Sequence, residues 1–332
     1  MASIIESIAS SFGPDIIGKL APAVGADSSA VSKGLGVLGP LLLNGMSSMA
    51  GTPAGAEGLL KALPQGGGGL LSSLLGSVFS GGGASALGGG GGILGSLLGP
   101  GLNAVSSTIS RAVGFNVAPL LSLVAPAALG AVAKMVKDKG LSASSIGPAL
   151  AQEKQAYFDN PANAENVSLV RAAVSAGDKA ATTIHGYGAE WSRVQAAPAA
   201  ALMMVATSDL SGPVGSIKEV QAATKALAGA AHKAEPTLLL AAAFGSGIDT
   251  DMLKQARELA PTKDKLLDIV KAGAASVASK SPAEAAAYKA TILAVAKAAA
   301  EASKEGGFLG IGGTLVSKDE QAALDQLQAA LV

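Results

Sequence analysis

A long apolar run without a charged side chain constrains this sequence more than any other feature. The run covers residues 112–133, which are 22 residues, and it contains Pro119 and Pro126. Such a run must be buried, because returning apolar surface to water costs about 25 cal/mol per Å². It is long enough to cross a bilayer, but Asn116, Ser122 and the two prolines interrupt it. Buried helices or an interface are therefore favoured, with a membrane span as the alternative.

The amino-acid composition changes near residue 150. Residues 1–150 contain 12 of the 48 charged residues and 30 of the 44 glycines, whereas residues 151–332 are rich in alanine and contain the other 36 charges. A chain of 332 residues is long enough for about two domains. We therefore expect one helical domain over residues 1–150 and a second over residues 151–332.

The composition also excludes several classes of function. The net charge is zero and aromatic residues make up 3% of the chain, which argues against a nucleic-acid partner. The absence of cysteine excludes disulfides, thiolate metal sites and cysteine nucleophiles. The first residues have no positively charged segment, and Glu6 lies where the apolar core of a secretory signal would begin. We therefore expect a cytoplasmic protein.

The first domain is predicted to be all-helical and to contain a degenerate internal repeat. In each copy a helix ends at a glycine that can adopt a positive φ, Gly25 or Gly114. A short helix is expected after each glycine, and Pro40 or Pro126 is expected to open the helix that follows. The candidate helix caps after the two glycines are Ser28, Ser29 and Asn116.

Two short leucine-rich segments lie between the copies of this repeat. The sequence LLSSLLG at 70–76 recurs as ILGSLLG at 93–99, and the glycines of 66–92 connect them. A phosphate-binding loop needs a lysine and a serine or threonine after its glycines, at a strand–helix turn. No lysine or arginine occurs between Lys61 and Arg111. The glycines therefore predict flexible connectors between docking helices.

Several short motifs give the first domain a family resemblance. They are Leu-Ala-Pro-Ala-Val-Gly at 20–25, Leu-Leu-Gly at 74–76 and 97–99, Ile-Ser-Arg-Ala-Val-Gly at 109–114, Leu-Val-Ala-Pro-Ala-Ala-Leu-Gly at 123–130 and Lys-Gly-Leu-Ser at 139–142. With these motifs, the region from about residue 10 to residue 155 resembles the YidB-like bacterial family, a domain of unknown function. The resemblance implies a small all-helical domain and no particular activity.

The second domain is predicted to be a bundle of amphipathic helices, with charges on one face and Ala, Val and Leu on the other. Ser-Pro-Ala-Glu at 281–284 combines a helix cap, a first-turn proline and a capping-box glutamate. Ser-x-x-Glu at 216–219 and at 317–320 predicts two further capping boxes, 101 residues apart, each after a glycine-bearing loop. This spacing predicts two copies of a helix–loop–helix unit.

Acidic residues near these loops suggest a divalent-cation site. The spacing of a calcium loop is not met, because Pro213 is fifth and Glu219 eleventh when Asp209 is counted as first. The arrangement over about residues 180–330 is nevertheless similar to the tellurite-resistance TerB-like fold, whose acidic loop residues are associated with divalent cations. That resemblance implies Asp209 and Glu219 as metal ligands in one copy, and Glu305 and Glu320 in the other. Helix capping is the alternative role for the glutamates, and it is favoured.

The two histidines do not form a catalytic arrangement. A general base needs a nucleophile and an orienting partner nearby. Glu190 follows His185 by five residues, which puts the two on different parts of a helix surface, and the other histidine is His232. Trp191 and Tyr187 are instead expected to form a packing anchor. We therefore expect a protein that is not an enzyme and binds no other cofactor.

The function that these observations favour is that of a structural or scaffold protein. Apolar helices of the first domain would associate with those of other copies, giving a homo-oligomer or a filament. Two alternatives stay open, a TerB-like cation-binding or stress-response module and a helical protein that associates with membranes through residues 70–133. The expected contact residues between copies are Leu70, Leu71, Leu74, Leu75, Leu97, Leu98, Leu120, Leu121, Val124 and Leu129.

Overall fold

A computed structural model shows helices joined by short turns. It describes residues 3–64, 94–95, 97–208, 212–233, 238–244, 248, 250–260, 262–302 and 316–332, and no strand occurs among them. The all-α prediction is therefore confirmed. The chain divides into two compact units, Met1–Asp178 (unit 1) and Lys179–Val332 (unit 2).

The described part of unit 1 surrounds two long helices. Its helices are α1 (Ile4–Ser10), α2 (Pro14–Val24), α3 (Ser28–Met49), α4 (Pro53–Ala62), α5 (Leu102–Val113), α6 (Ala118–Lys139), α7 (Ala143–Phe158) and the first part of α8 (Ala164–Tyr187). Short 3-10 turns lie at Gly99–Gly101 and Pro161–Asn163. Helices α1, α2, α4, α5, α6 and α7 all contact α3. The core of unit 1 therefore forms around α3 and α6.

The glycine-terminated helices of the first domain occur as predicted. Helices α2 and α5 end at Gly25 (φ 69°) and Gly114 (φ 85°), both in the left-handed region. The prediction for the next residues is wrong, because Pro40 and Pro126 do not open new helices. They lie inside α3 and α6, each of which continues for 22 residues. A mid-helix proline removes one backbone hydrogen bond, and the apolar stripe buried on both sides of it offsets that cost.

The predicted caps differ from the structure. The N-cap of α3 is Asp27, whose side chain accepts a hydrogen bond from the Ala30 N–H at 2.7 Å. Ser28 and Ser29 therefore belong to the first turn of the helix. The N-cap of α6 is Val117, and Asn116, one residue before it, accepts from the Ala118 N–H through its Oδ1 at 3.0 Å.

The described part of unit 2 is a bundle around one buried helix. Its helices are the last part of α8, α9 (Trp191–Ala206), α10 (Gly212–Lys233), α11 (Leu238–Phe244), α12 (Thr250–Leu259), α13 (Lys263–Lys280), α14 (Ala285–Ala300) and α15 (Lys318–Leu331). The 3-10 turns Gly188–Glu190 and Pro282–Glu284 lead into α9 and α14. Helices α10 to α15 all contact α9, whose residues 196–202 are buried.

The observed boundary between the units differs from the predicted one. The division falls after Asp178, inside α8, whereas the change in composition falls near residue 150. Helix α7 packs against α3 and α4 through its buried Ile146 and Leu150, so it belongs to unit 1. Its charged residues, Glu153 and Lys154, are half-buried. The change in composition therefore does not coincide with the division of the fold.

Only one of the three predicted capping boxes is present as expected. Ser317 and Glu320 form one at the start of α15. Helix α10 begins at Gly212, so the Ser-x-x-Glu sequence at 216–219 lies within a helix and does not start one. In the third case, Ser281 Oγ accepts a hydrogen bond from the Tyr187 hydroxyl, and Glu284 Oε2 accepts one from the Leu239 N–H. The predicted helix–loop–helix repeat, which rested on these boxes, is not confirmed.

Candidate functional site

Four of the predicted contact residues between copies lie in the core of unit 1. Leu120, Leu121, Val124 and Leu129 of α6 are at most 3% exposed. The packing of α1 and α3 against α6 accounts for this apolar sequence within a single chain. The prediction that these four residues contact other copies directly is therefore corrected: they are core residues. A side chain that is enclosed by its own chain has no surface available to a partner.

The other predicted contact residues lie in the leucine-rich segments. Leu70, Leu71, Leu74 and Leu75 fall outside the described residues. Leu97 and Leu98 are half-buried, as is the nearby Leu102. Of the predicted contact residues that the structure describes, Leu97 and Leu98 are the ones that keep apolar surface accessible.

Gly45 of α3 allows the Leu97 segment to approach that helix closely. A Cβ atom on Gly45 would lie 2.8 Å from the Leu97 carbonyl oxygen, closer than real Cβ contacts come. Leu94, at the start of the same segment, is buried with an exposed fraction of 3%. The segment is therefore anchored at one end and only partly covered at Leu97 and Leu98.

Helix α6 also meets the length and composition of a membrane span. It is the one such helix among the described residues, with a mean hydropathy of 1.7 over its most apolar window. Of that window, 56% is buried inside the protein. The core of unit 1 thus already encloses more than half of that window.

The four predicted metal ligands do not come together in the part of the chain that is described. Asp209 and Glu305 lie outside it. Glu219 is buried within α10. Glu320 is buried in the capping box, where its Oε2 accepts from the Ser317 N–H at 2.8 Å. Within the described ranges no group of three or more His, Cys, Asp or Glu side chains is close enough to hold a metal ion.

Tyr187 is the centre of a polar cluster in unit 2. Its ring packs edge-on against Trp191, with 5.5 Å between the centroids, and both residues are buried. Its hydroxyl donates to Ser281 Oγ at 2.8 Å. The predicted packing anchor is therefore confirmed.

Lys280 joins this cluster, and the sequence analysis did not identify it. Its Nζ lies 5.6 Å from the centroid of the Tyr187 ring and 3.7 Å from Glu190 Oε1. It also donates to the carbonyls of Gly186 and Tyr187, at 3.1 and 3.3 Å. These are the last carbonyls of α8, which have no partner within the helix. Lys280 is the last residue of α13, and the turn Pro282–Glu284 follows it. A lysine in this position is a signal that could have been recognised in the sequence.

The cluster is better suited to holding helices together than to catalysis. Burial raises the pKa of Tyr187, against the lowering effect of the Ser281 hydrogen bond, and the nearby Glu284 and Glu190 carboxylates raise it further. A phenol with a raised pKa stays neutral near pH 7, so it is a weak base and a weak nucleophile. His185 is exposed on α8.

Tyr288 lies deeper in unit 2. It is fully buried, its ring stacks on Phe244 with 6.0 Å between centroids, and its hydroxyl donates to the Val194 carbonyl at 2.8 Å. Burial raises its pKa well above the usual value, and the neighbouring Tyr187 adds to the rise. Sequence reasoning missed this residue.

Two concave regions of unit 1 have walls without paired catalytic groups. The larger, of about 560 Å³, lies between the end of α3 and the starts of α4 and α7. Small residues form most of its wall, and Glu57 is the charged residue among those that line it. The smaller, of about 230 Å³, has Arg171 and Asp178 beside Phe158 and Asn44. Neither places a nucleophile beside a base among the residues that line it.

Comparison with known proteins identifies one family. Residues 6–135 match the model of a family described as a bacterial protein of unknown function (DUF937). This segment lies within unit 1 and confirms the predicted resemblance to a bacterial domain of unknown function. The comparison with curated proteins gave no match, and the comparison with solved structures gave none either.

Proposed function

We propose that this protein is a non-enzymatic structural or scaffold protein whose copies associate into a homo-oligomer or filament. The observation that carries the proposal is the partial exposure of Leu97 and Leu98, which pack against the apolar core of unit 1 without being enclosed by it. These two leucines lie in residues 62–110, a stretch of 49 residues without a charged side chain.

An uncharged stretch of this length favours contacts between copies. Charged residues are depleted from the centres of protein interfaces, and their absence removes the main obstacle to burying a surface. Leu70, Leu71, Leu74 and Leu75 repeat the pattern of the second leucine-rich segment within this stretch. A contact made by different surfaces on the two copies does not close on itself and propagates into a ring or filament.

The polar groups of the described residues support a role outside catalysis. The capping box at Ser317 and the Tyr187–Ser281 and Lys280–Gly186 hydrogen bonds all connect or terminate helices. A catalytic site would instead aim such groups at one accessible position. This use of the polar side chains is what a scaffold requires.

Light scattering coupled to size-exclusion chromatography tests the proposal. We expect the wild-type protein to elute as an oligomer at micromolar concentration, and the double variant Leu97→Glu, Leu98→Glu to elute at a lower mass. Leu259→Glu is the matched control, because Leu259 is an exposed leucine of unit 2, 38% accessible. A wild-type protein that is a clean monomer would contradict the proposal, and so would an equal loss of mass in the control.

A divalent-cation-binding role is the second candidate, and the buried carboxyl of Glu219 in α10 favours it. Calorimetric titration of the protein with calcium tests this role. Heat that disappears in Glu219→Gln would support it, and no heat together with no thermal shift would exclude it.

Flotation with liposomes distinguishes membrane association through residues 70–133 from assembly of the protein with itself. The burial of α6 within unit 1 opposes this alternative. An assembling protein without lipid affinity stays at the bottom of the gradient, and a protein that floats would establish the alternative.

A further inference from the structure

The first described helix fills an apolar groove of unit 1. Helix α1 contacts both α3 and α6. Its residues Ile4 and Ile8, together with Phe12 just beyond it, are at most 3% exposed and belong to the core. Their spacing puts them on one face of a helix. The floor of the groove includes Gly39, where an added Cβ would lie 3.9 Å from Ile8 atoms.

Apolar contacts dominate the attachment of α1. The capping box of Ser3 and Glu6 satisfies N–H groups within α1 itself. The Ile4 N–H also donates to Glu153 Oε2 of α7, over a long 3.4 Å. A helix of seven residues is unstable alone in water. Helix α1 therefore has to occupy a groove of this kind, and nothing in its contacts requires that the groove belong to its own chain.

The connection from α1 to α2 is short. It consists of Ser11, Phe12 and Gly13, and Phe12 is itself buried. Gly13 is extended (φ −62°, ψ 168°), which is the conformation that the following Pro14 favours. Open space surrounds the position that a Gly13 Cβ would take. A change of direction at Gly13 would carry α1 and Phe12 away together.

We propose that α1 is exchanged between copies, so that α1 of one molecule occupies the α3–α6 groove of another. The proposal rests on the self-association proposed above and adds a second link between the copies, besides the contact made by Leu97 and Leu98. Exchange preserves every contact that α1 makes, so it needs no exposed apolar patch. In the part of the chain that is described, Leu259 and Val332 are the exposed large apolar residues. Reciprocal exchange gives a closed dimer, and successive exchange gives a filament.

A disulfide between α1 and α3 tests this proposal directly. The double variant Ile8→Cys, Gly39→Cys places two thiols face to face, and the sequence contains no other cysteine. After oxidation, a non-reducing gel shows which chains are joined. We expect the larger part of the protein to run as covalent dimers or a ladder of multimers that collapse on reduction.

Two results would overturn the proposal in different ways. A disulfide within single chains of an oligomer would refute the exchange and leave the self-association intact. A monomer by light scattering, with its disulfide within the chain, would refute both. The control is the double variant Ser10→Cys, Gly39→Cys. The exchange predicts no disulfide between chains in this variant, because Ser10 is on the exposed face of α1.

The fold of the variants is checked by their helical circular dichroism and melting temperature. Ile5→Cys with Gly39→Cys is the second pair, because an Ile5 atom also lies 3.8 Å from the Gly39 Cβ position. If a folded protein forms no disulfide with either pair, α1 does not occupy the groove of any copy, and the exchange is refuted.

Discussion

The Tyr288 hydroxyl donates its hydrogen bond to the Val194 carbonyl, 94 residues earlier in the chain. Val194 is four residues before Pro198, which lies inside α9. Because proline has no N–H, the Val194 carbonyl lacks its helical partner. Tyr288 supplies the missing donor from α14, inside the buried centre of unit 2. A tertiary hydrogen bond thus allows a proline within the helix around which unit 2 packs.

Unit 1 contains the same arrangement in a weaker form. Pro40 lies inside α3, and Gly36 is four residues before it. The Tyr157 hydroxyl donates to the Gly36 carbonyl at 3.4 Å. Tyr157 is half-buried, so water can reach this site. Two of the three tyrosines of the protein therefore satisfy carbonyls that mid-helix prolines leave open.

Removing the Tyr288 hydroxyl should destabilise the protein. Tyr288→Phe leaves the Val194 carbonyl buried without a partner, which costs about 1–3 kcal/mol of unfolding free energy. Urea denaturation measures the change. The comparison is Tyr157→Phe, whose longer and more exposed bond should cost less, about 0.5–1 kcal/mol.

A double-mutant cycle separates the proline effect from a general loss of packing. Pro198→Ala restores an N–H for the Val194 carbonyl, so Tyr288→Phe should cost about 1 kcal/mol less in that background. An equal cost in both backgrounds would mean that Tyr288 acts by packing alone.

The buried Tyr288 should also make stability depend on alkaline pH. Burial raises its pKa well above the usual value, so the folded protein keeps the phenol proton at a pH where the unfolded chain loses it. The unfolded state then binds fewer protons, and the free energy of unfolding falls as the pH rises above about 10. Tyr288→Phe lacks this contribution, so the stability difference between the two proteins should narrow from pH 9 to about pH 10.5. Urea midpoints across that range would contradict the mechanism if the difference stayed constant.

Gly273 of α13 is where we expect a single added methyl group to be harmful. Its Cβ would lie 2.8 Å from the Tyr288 hydroxyl and 3.0 Å from both the Ala197 Cβ and the Arg193 carbonyl oxygen. Gly273→Ala should therefore lower the unfolding free energy by about 1–3 kcal/mol, despite the better helix propensity of alanine.

Gly229 of α10 is the matched control for that change. Apart from its own helix backbone, no atom of the described residues lies within 4 Å of its Cβ position, so Gly229→Ala should raise stability by about 0.5–1 kcal/mol. Thermal and urea denaturation measure both variants. Equal effects at the two glycines would show that α13 shifts to accommodate the methyl group.

The sequence predicted part of what is local in this fold. The positive φ angles of Gly25 and Gly114 and the box at Ser317 depend on neighbours a few residues away. The all-helical class follows in the same way from the spacing of apolar residues.

Long-range contacts decide what the sequence could not. Pro40 and Pro126 were interpreted as helix starts because a proline within a helix costs a hydrogen bond, but distant burial keeps α3 and α6 continuous. The sequence predicts Leu120 and Val124 as contacts between copies, because no local feature shows that α1 and α3 pack against α6. The bond from Tyr288 to Val194 spans 94 residues, and only the packing of α9 against α14 brings these residues together.

Two copies of the same Ser-x-x-Glu motif should respond differently to the same substitution. Ser317 Oγ accepts from the Glu320 N–H at 3.2 Å at the start of α15, so Ser317→Ala should cost about 0.5–2 kcal/mol. Ser216 lies inside α10, four residues after its first residue, where alanine is the better helix former. Ser216→Ala should therefore be neutral or stabilise the protein by a few tenths of a kcal/mol. Urea denaturation of both variants tests this asymmetry, and an equal loss at Ser216 would place a helix start there.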